Sequence, residues 1–172
     1  MKNFVIRIFI LGILFSFQLN SFSININTNS LEIAIEKIQN NNFRGALNDL
    51  NMALTDSPNN PEIYYYRAVA LFNLKKNDQA IEDLSVALAL NHKSAKYYYL
   101  RAVAYADQED MKLAYRDVVK AVEIEENNAD FYLLKAEIEM ALDYTMNAIQ
   151  DFEKAARLGS LEAKDFLKKQ HS

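Results

Sequence analysis

The chain has 172 residues, 51% of them apolar, with 3 Gly and 2 Pro, which gives room for one domain with a continuous core and suits a helical chain. It contains no cysteine, so disulfides, thiolate metal sites and thiol catalysis are excluded. The formal net charge of -4 argues against a phosphate-backbone binder, and the two distant histidines, His92 and His171, have no second ligand at helical spacing for zinc.

The first 23 residues have the three-part layout of a secretory signal. Lys2 and Arg7 supply the basic start, and Ile8 to Leu19 form an apolar run broken by Gly12, Ser16 and Gln18. Ser21 and Ser23 place small residues three and one before a cut after Ser23. That run is shorter than the roughly 20 apolar residues of a membrane anchor, so cleavage is expected, with an uncleaved inner-membrane anchor as the alternative. Cleavage removes two basic residues and leaves 17 basic against 23 acidic, a mature charge of -6. The expected location is therefore periplasmic or secreted, in a bacterium. Residues 24–29 are polar and Asn-rich and read as a short linker.

From residue 30 onward the chain repeats itself. Pro61–Ser94 and Ala95–Asn128 align without a gap when shifted by 34 residues, matching Tyr64 to Tyr98, Arg67 to Arg101 and Asp83 to Asp117. The register extends to units 27–60 and 129–162. Three columns hold alanine in all four units: Ala34, Ala68, Ala102 and Ala136; Ala46, Ala80, Ala114 and Ala148; Ala53, Ala87, Ala121 and Ala155. A methyl side chain repeated in one column marks a place where two helix axes approach closely.

Each unit divides into two helices. Ile63, Tyr64, Ala68 and Leu71 form one buried stripe, and Ala80, Leu84, Ala87 and Leu88 form another. Lys75 to Asp78 make the polar turn between them. Asn60, Ser94 and Asn128 stand where a helix cap is expected, with Pro61 at the first helical position. Gly159 is expected as a left-handed stop. Ser160 then opens a cap helix over 160–170, with Phe166 and Leu167 inward and Lys164, Lys168 and Lys169 outward.

These features resemble the tetratricopeptide repeat (TPR) family: the period, the small-residue columns, the aromatic column Tyr64, Tyr98 and Tyr132, and Pro58 before Asn59 and Asn60. The resemblance covers Asn27 to Glu162. It implies an all-α fold, a right-handed α-solenoid of antiparallel helix pairs with four units and a C-terminal capping helix. The departures are Ser30 in the aromatic column, Lys37 and Glu139 in a usually apolar column, and His92 and Glu126 in place of proline. Open ends of such stacks carry atypical units that solvate the termini.

The resemblance also implies a concave groove lined by the first helix of each unit. Its wall here is Tyr65, Val69, Phe72 and Asn73, then Tyr99, Val103, Ala106 and Asp107, then Leu133, Glu137 and Met140, with Tyr66, Leu100 and Leu134 at the margin. That wall is apolar and aromatic for a surface and suits a peptide or helix of a protein partner. Some TPR proteins grip a terminal carboxylate with Lys, Asn and Arg along this groove, whereas Tyr, Leu, Val and Phe stand here. No basic stripe interleaves with the tyrosines, which argues against nucleic acid. The alternative role is an assembly subunit of an envelope complex, using the convex face or an open end.

The column Asp49, Asp83, Asp117 and Asp151 spaces its carboxylates a full repeat apart, too far to share a proton or flank a bond. An ion-pair ladder is expected instead. Pairing between units matches Asp49 to Arg67, Asp83 to Arg101, Asp117 to Lys135 and Asp151 to Lys169, and gives every Asp a partner. His92 is expected as an exposed loop residue. No nucleophile elbow, phosphate loop, cofactor motif or metal spacing occurs, so the sequence reads as a binding scaffold and not an enzyme.

Overall fold

A computed structural model describes residues 30–170. The expected signal and linker in 1–29, together with His171, lie outside the described residues. Every regular element among the described residues is an α-helix. The chain divides into two compact bodies, residues 1–59 and 60–172. The first contains helices α1, residues 30–39, and α2, Phe43–Asp56. The second contains α3 Pro61–Asn73, α4 Asn77–Leu90, α5 Ala95–Asp107, α6 Met111–Ile124, α7 Ala129–Ala141, α8 Thr145–Arg157 and α9 Leu161–Gln170. None of these is long and apolar enough to cross a membrane.

The helix starts keep the period of the sequence. Pro61, Ala95 and Ala129 open the first helices, and Phe43, Asn77, Met111 and Thr145 open the second ones. Asn60 and Asn128 cap their helices through side-chain oxygens that accept from the Glu62 and Asp130 backbone N–H groups. Ser94 occupies the same place without a side-chain capping bond. Asn77 and Asp78, expected in the turn, instead form the first turn of α4, where the Asp78 charge complements the helix dipole. Gly159 has φ +114°, and Ser160 Oγ accepts from Ala163 N at 3.2 Å at the start of α9.

The turn inside each unit carries a signature that composition hides. Asn41, Lys75, Glu109 and Asp143 have φ of 57°, 60°, 64° and 63°, all left-handed and all one period apart. No glycine serves there, so each turn holds a β-carbon in a region that disfavours it.

Within the second body each helix packs mainly on its pair partner and then on the next helix in the chain, while α5 also touches α3 and α7. This is the contact pattern of a solenoid. All twelve column alanines are buried, none exposed beyond 1%. Leu84, Val118 and Phe152 fill the larger gaps, and Ile63, Tyr97 and Phe131 are buried at the start of the first helices. Leu50 has the corresponding place in the first body. Tyr64 and Tyr98, expected in the core, are half-buried, with the Arg67 and Arg101 guanidinium carbons 5.7 and 5.9 Å from their ring centres.

The ion pairs do not follow the expected register. Arg67 holds Asp83 with bonds of 2.7 and 2.6 Å, and Arg101 holds Asp117 at 2.6 and 3.1 Å, each inside its own unit. Lys135 likewise bonds Asp151. The geometry of the hairpin explains the correction. Lys75, at the left-handed turn, lies midway in sequence between Arg67 and Asp83, so folding back at that point brings the two to the same level. Asp49, which seemed to lack a partner in its own unit, takes Lys37 at 2.6 Å. Ile33 fills the basic column there, and the cation stands one helical turn later.

Successive units in the second body are tied at the two ends of their first helices. Glu62 accepts from Tyr97 Oη at 2.6 Å and from Lys96 Nζ at 2.7 Å. At the other end Asp107 accepts from Asn77 at 2.6 Å and Lys75 at 3.4 Å, while Gln108 donates to Asp78.

Candidate partner-binding groove

The contacts of α5 with α3 and α7 set the first helices side by side, and residues Tyr65, Tyr99 and Leu133 recur along them at one period. Tyr65, Val69, Phe72, Tyr99, Val103, Ala106, Leu133 and Met140 are half-buried, and Asn73, Asp107 and Glu137 are exposed. Every member of the expected wall thus keeps some exposure, while Ala68, Ala70, Leu71, Ala102, Ala104 and Ala136 between them are buried.

Neighbouring side chains hold the aromatic part in place. The Tyr65 ring lies 5.3 Å from Tyr97 and 5.2 Å from Tyr66, and Lys96 Nζ stands 4.7 Å from its centre. Burial pushes the Tyr65 phenol above its ordinary value, and Tyr66 and Glu62 add to this. Tyr99 is tilted on Phe131 at 4.9 Å. Its phenol is pushed up by burial and then by the carboxylates of Asp130, Glu137 and Glu162.

The polar members of the wall are less free than the sequence implied. Asn73 donates its side-chain amide to Val69 O at 2.8 Å, inside its own helix. Asn77 and then Lys75 hold the Asp107 carboxyl below its usual range, so this residue ties two units together.

The last third of the wall is different. Leu133, Glu137 and Met140 meet Phe152, Glu162, Asp165, Phe166 and Lys169 around a cavity of about 520 Å³. The contribution of α9 was not evident from its lysine pattern. The signal was in the register: shifted by one period, Phe166 falls on Tyr132 and Leu167 on Leu133, so α9 continues the series of first helices. Its most buried residue, Ala163, was missed for the same reason.

A second polar cluster lies under the surface of the fourth unit. Glu139 is fully buried, with Lys135 Nζ at 3.2 Å from Oε1, yet neither carboxylate oxygen receives a well-formed hydrogen bond among the described residues. Burial raises its carboxyl above the ordinary value, Lys135 opposes, and Asp151 adds to the rise. No group of acidic and His side chains among the described residues is placed to hold a metal.

Two family models, both described as tetratricopeptide repeat, match residues 37–104 and 95–128 and together span more than half of the chain. The chain belongs to the tetratricopeptide repeat family. Curated proteins give no match. Among solved structures, this TPR chain is similar to the first TPR domain of Spaghetti (RPAP3) bound to the HSP90 peptide SRMEEVD. The two share 26% identity at a TM-score of 0.66, over 68% of this chain and 93% of that one. MamA from Desulfovibrio magneticus RS-1 is 20% identical at a TM-score of 0.72, over 77% and 75% of the two chains. PilF of Pseudomonas aeruginosa is 19% identical at 0.76, over 86% and 70%. The latter two share the TPR fold.

Proposed function

We propose that this TPR protein is an interaction scaffold that receives a peptide or helical segment of another protein along the wall Tyr65, Val69, Phe72, Tyr99, Val103, Leu133 and Met140, outside the cytoplasm. One observation carries the reading. The alanine columns are fully used within the helix stack, whereas the residues of this apolar strip keep part of their surface open to solvent. The RPAP3 domain supports peptide binding as a use of such a stack. Its peptide SRMEEVD carries two glutamates and an aspartate. The carboxylates of Glu137 and Glu162 favour a segment of opposite charge here. The secretory layout of residues 1–23 supports a periplasmic or secreted location. No cofactor, metal or nucleic acid takes part in this mechanism.

A second reading, assembly through the convex face or an open end, is favoured by Met146 and Leu161, each 72% exposed. One experiment separates the two. A photo-crosslinking residue at position 103 is expected to capture a partner, and the same residue at position 146 is not. The reverse pattern supports the assembly role.

A further inference from the structure

The cavity between α7, α8 and α9 has a two-part chemistry. Its floor is apolar: Phe152 and Phe166 stack with ring centres 3.9 Å apart, and Leu133 and Met140 close the side toward the groove. Phe152 is buried, so the floor is anchored to the core, while the Met140 thioether can adapt to the shape that enters. The mouth carries Glu137, Glu162, Asp165 and Lys169. Asp165 has Lys168 at 3.6 Å. Carboxylates thus outnumber ammonium groups three to one in this lining.

The carboxylates of Glu137 and Glu162 repel each other. Burial and then the charge of Glu162 push the Glu137 carboxyl upward. Leu133, Glu137 and Met140 belong both to the wall and to the cavity lining, so the two are continuous. The cavity is therefore the end of the groove, and its lining sets three carboxylates against the single ammonium of Lys169.

We infer that this cavity receives a large apolar side chain of a partner segment that carries a lysine or arginine nearby, with the cation seated between Glu137 and Glu162. The inference rests on the groove reading above and gives it a polarity: the basic, apolar part of the partner binds at the C-terminal end. A cavity of about 520 Å³ accommodates a large side chain with part of its flanking backbone. A partner cation would offset the excess of carboxylates at the mouth, which favours the charged partner over a neutral one.

Panning a random dodecapeptide phage library against the full mature chain, followed by fluorescence anisotropy on the recovered peptides, tests this. Expected is enrichment of peptides with Phe, Leu, Met or Trp within four residues of Lys or Arg. Glu137→Gln with Glu162→Gln should weaken their binding roughly three- to tenfold at low salt, with the gap closing at high salt. Met140→Trp, which fills the cavity, should weaken it at least about tenfold. Melting temperatures of each variant are recorded to separate binding from folding. Binders that lack a basic residue, or that ignore both sets of substitutions while Val103→Asp abolishes them, overturn this inference and leave the groove reading standing. Binders that ignore Val103→Asp overturn the groove reading itself. Loss of a dimer on sedimentation of Met140→Trp would assign the cavity to a second copy of the chain and overturn the peptide assignment.

Discussion

Arg101 and Asp117 show how a charge pair can serve architecture. The Asp117 side chain is 2% exposed and its guanidinium partner 14%, so removing either member leaves a charge with little water to solvate it. Arg101→Ala should lower stability by about 3–5 kcal/mol by chemical denaturation, and Arg101→Met with Asp117→Leu should recover most of the loss. Glu139 is the opposite case, a buried carboxyl that stability would be better without. Its raised folded value means that the protonated form is the stabilised one. The contribution is complete below the ordinary value of 4.5 and lost as pH rises through the folded value. Glu139→Gln should therefore stabilise the protein by roughly 1–3 kcal/mol at pH 8, and the difference should vanish by pH 4 in paired thermal melts. The alanine columns were readable in sequence because alanine leaves a composition mark wherever it recurs. Pairing was not, because Ile33 leaves the basic column of the first unit empty and so favoured the wrong register, while the cation that serves Asp49 is Lys37, one helical turn later.

At the level of the helix pair, the turn is the strained part. Glu109 sits at φ 64° on the way from α5 to α6. Glycine adopts that region freely, at some entropic cost in the unfolded chain, so Glu109→Gly should raise stability by about 0.5–1 kcal/mol. Calorimetry on this single variant checks it, and Lys75 is the wrong place to try because its ammonium also reaches Asp107. The helix starts at Pro61, Ala95 and Ala129 were legible from caps and period. The left-handed positions were not, since Asn, Lys, Glu and Asp occupy them and Lys and Glu carry no signal of such a turn. The role of α9 was half legible: Phe166 and Leu167 were expected inward and do pack on the last core cluster. Their apolar character showed which face turns in, but not that the same face would close one end of a cavity.

For the molecule as a whole, the sequence supported the fold far better than the partner. A periodic pattern constrains every unit at once, whereas a binding strip is defined only by what remains after packing is satisfied. The expected export is checked by intact-mass measurement of the protein purified from its native envelope fraction. Cleavage after Ser23 predicts a mature chain beginning at Ile24, and a full-length mass would support the membrane-anchored alternative.

The identical spacing of the helix starts has one more consequence, for the length of the protein. Because Asn60 and Asn128 cap equivalent helices and each unit meets only its neighbours, a duplicate of residues 95–128 inserted after Asn128 would present to α7 the same surface that α6 now presents. Such an elongated chain is expected to fold, with added helicity by circular dichroism and a melting temperature no lower than the original. The acidic cavity would stay at the far end, one unit more distant from Tyr65. The reach of the partner that fits would then be set by a ruler that gene duplication can extend.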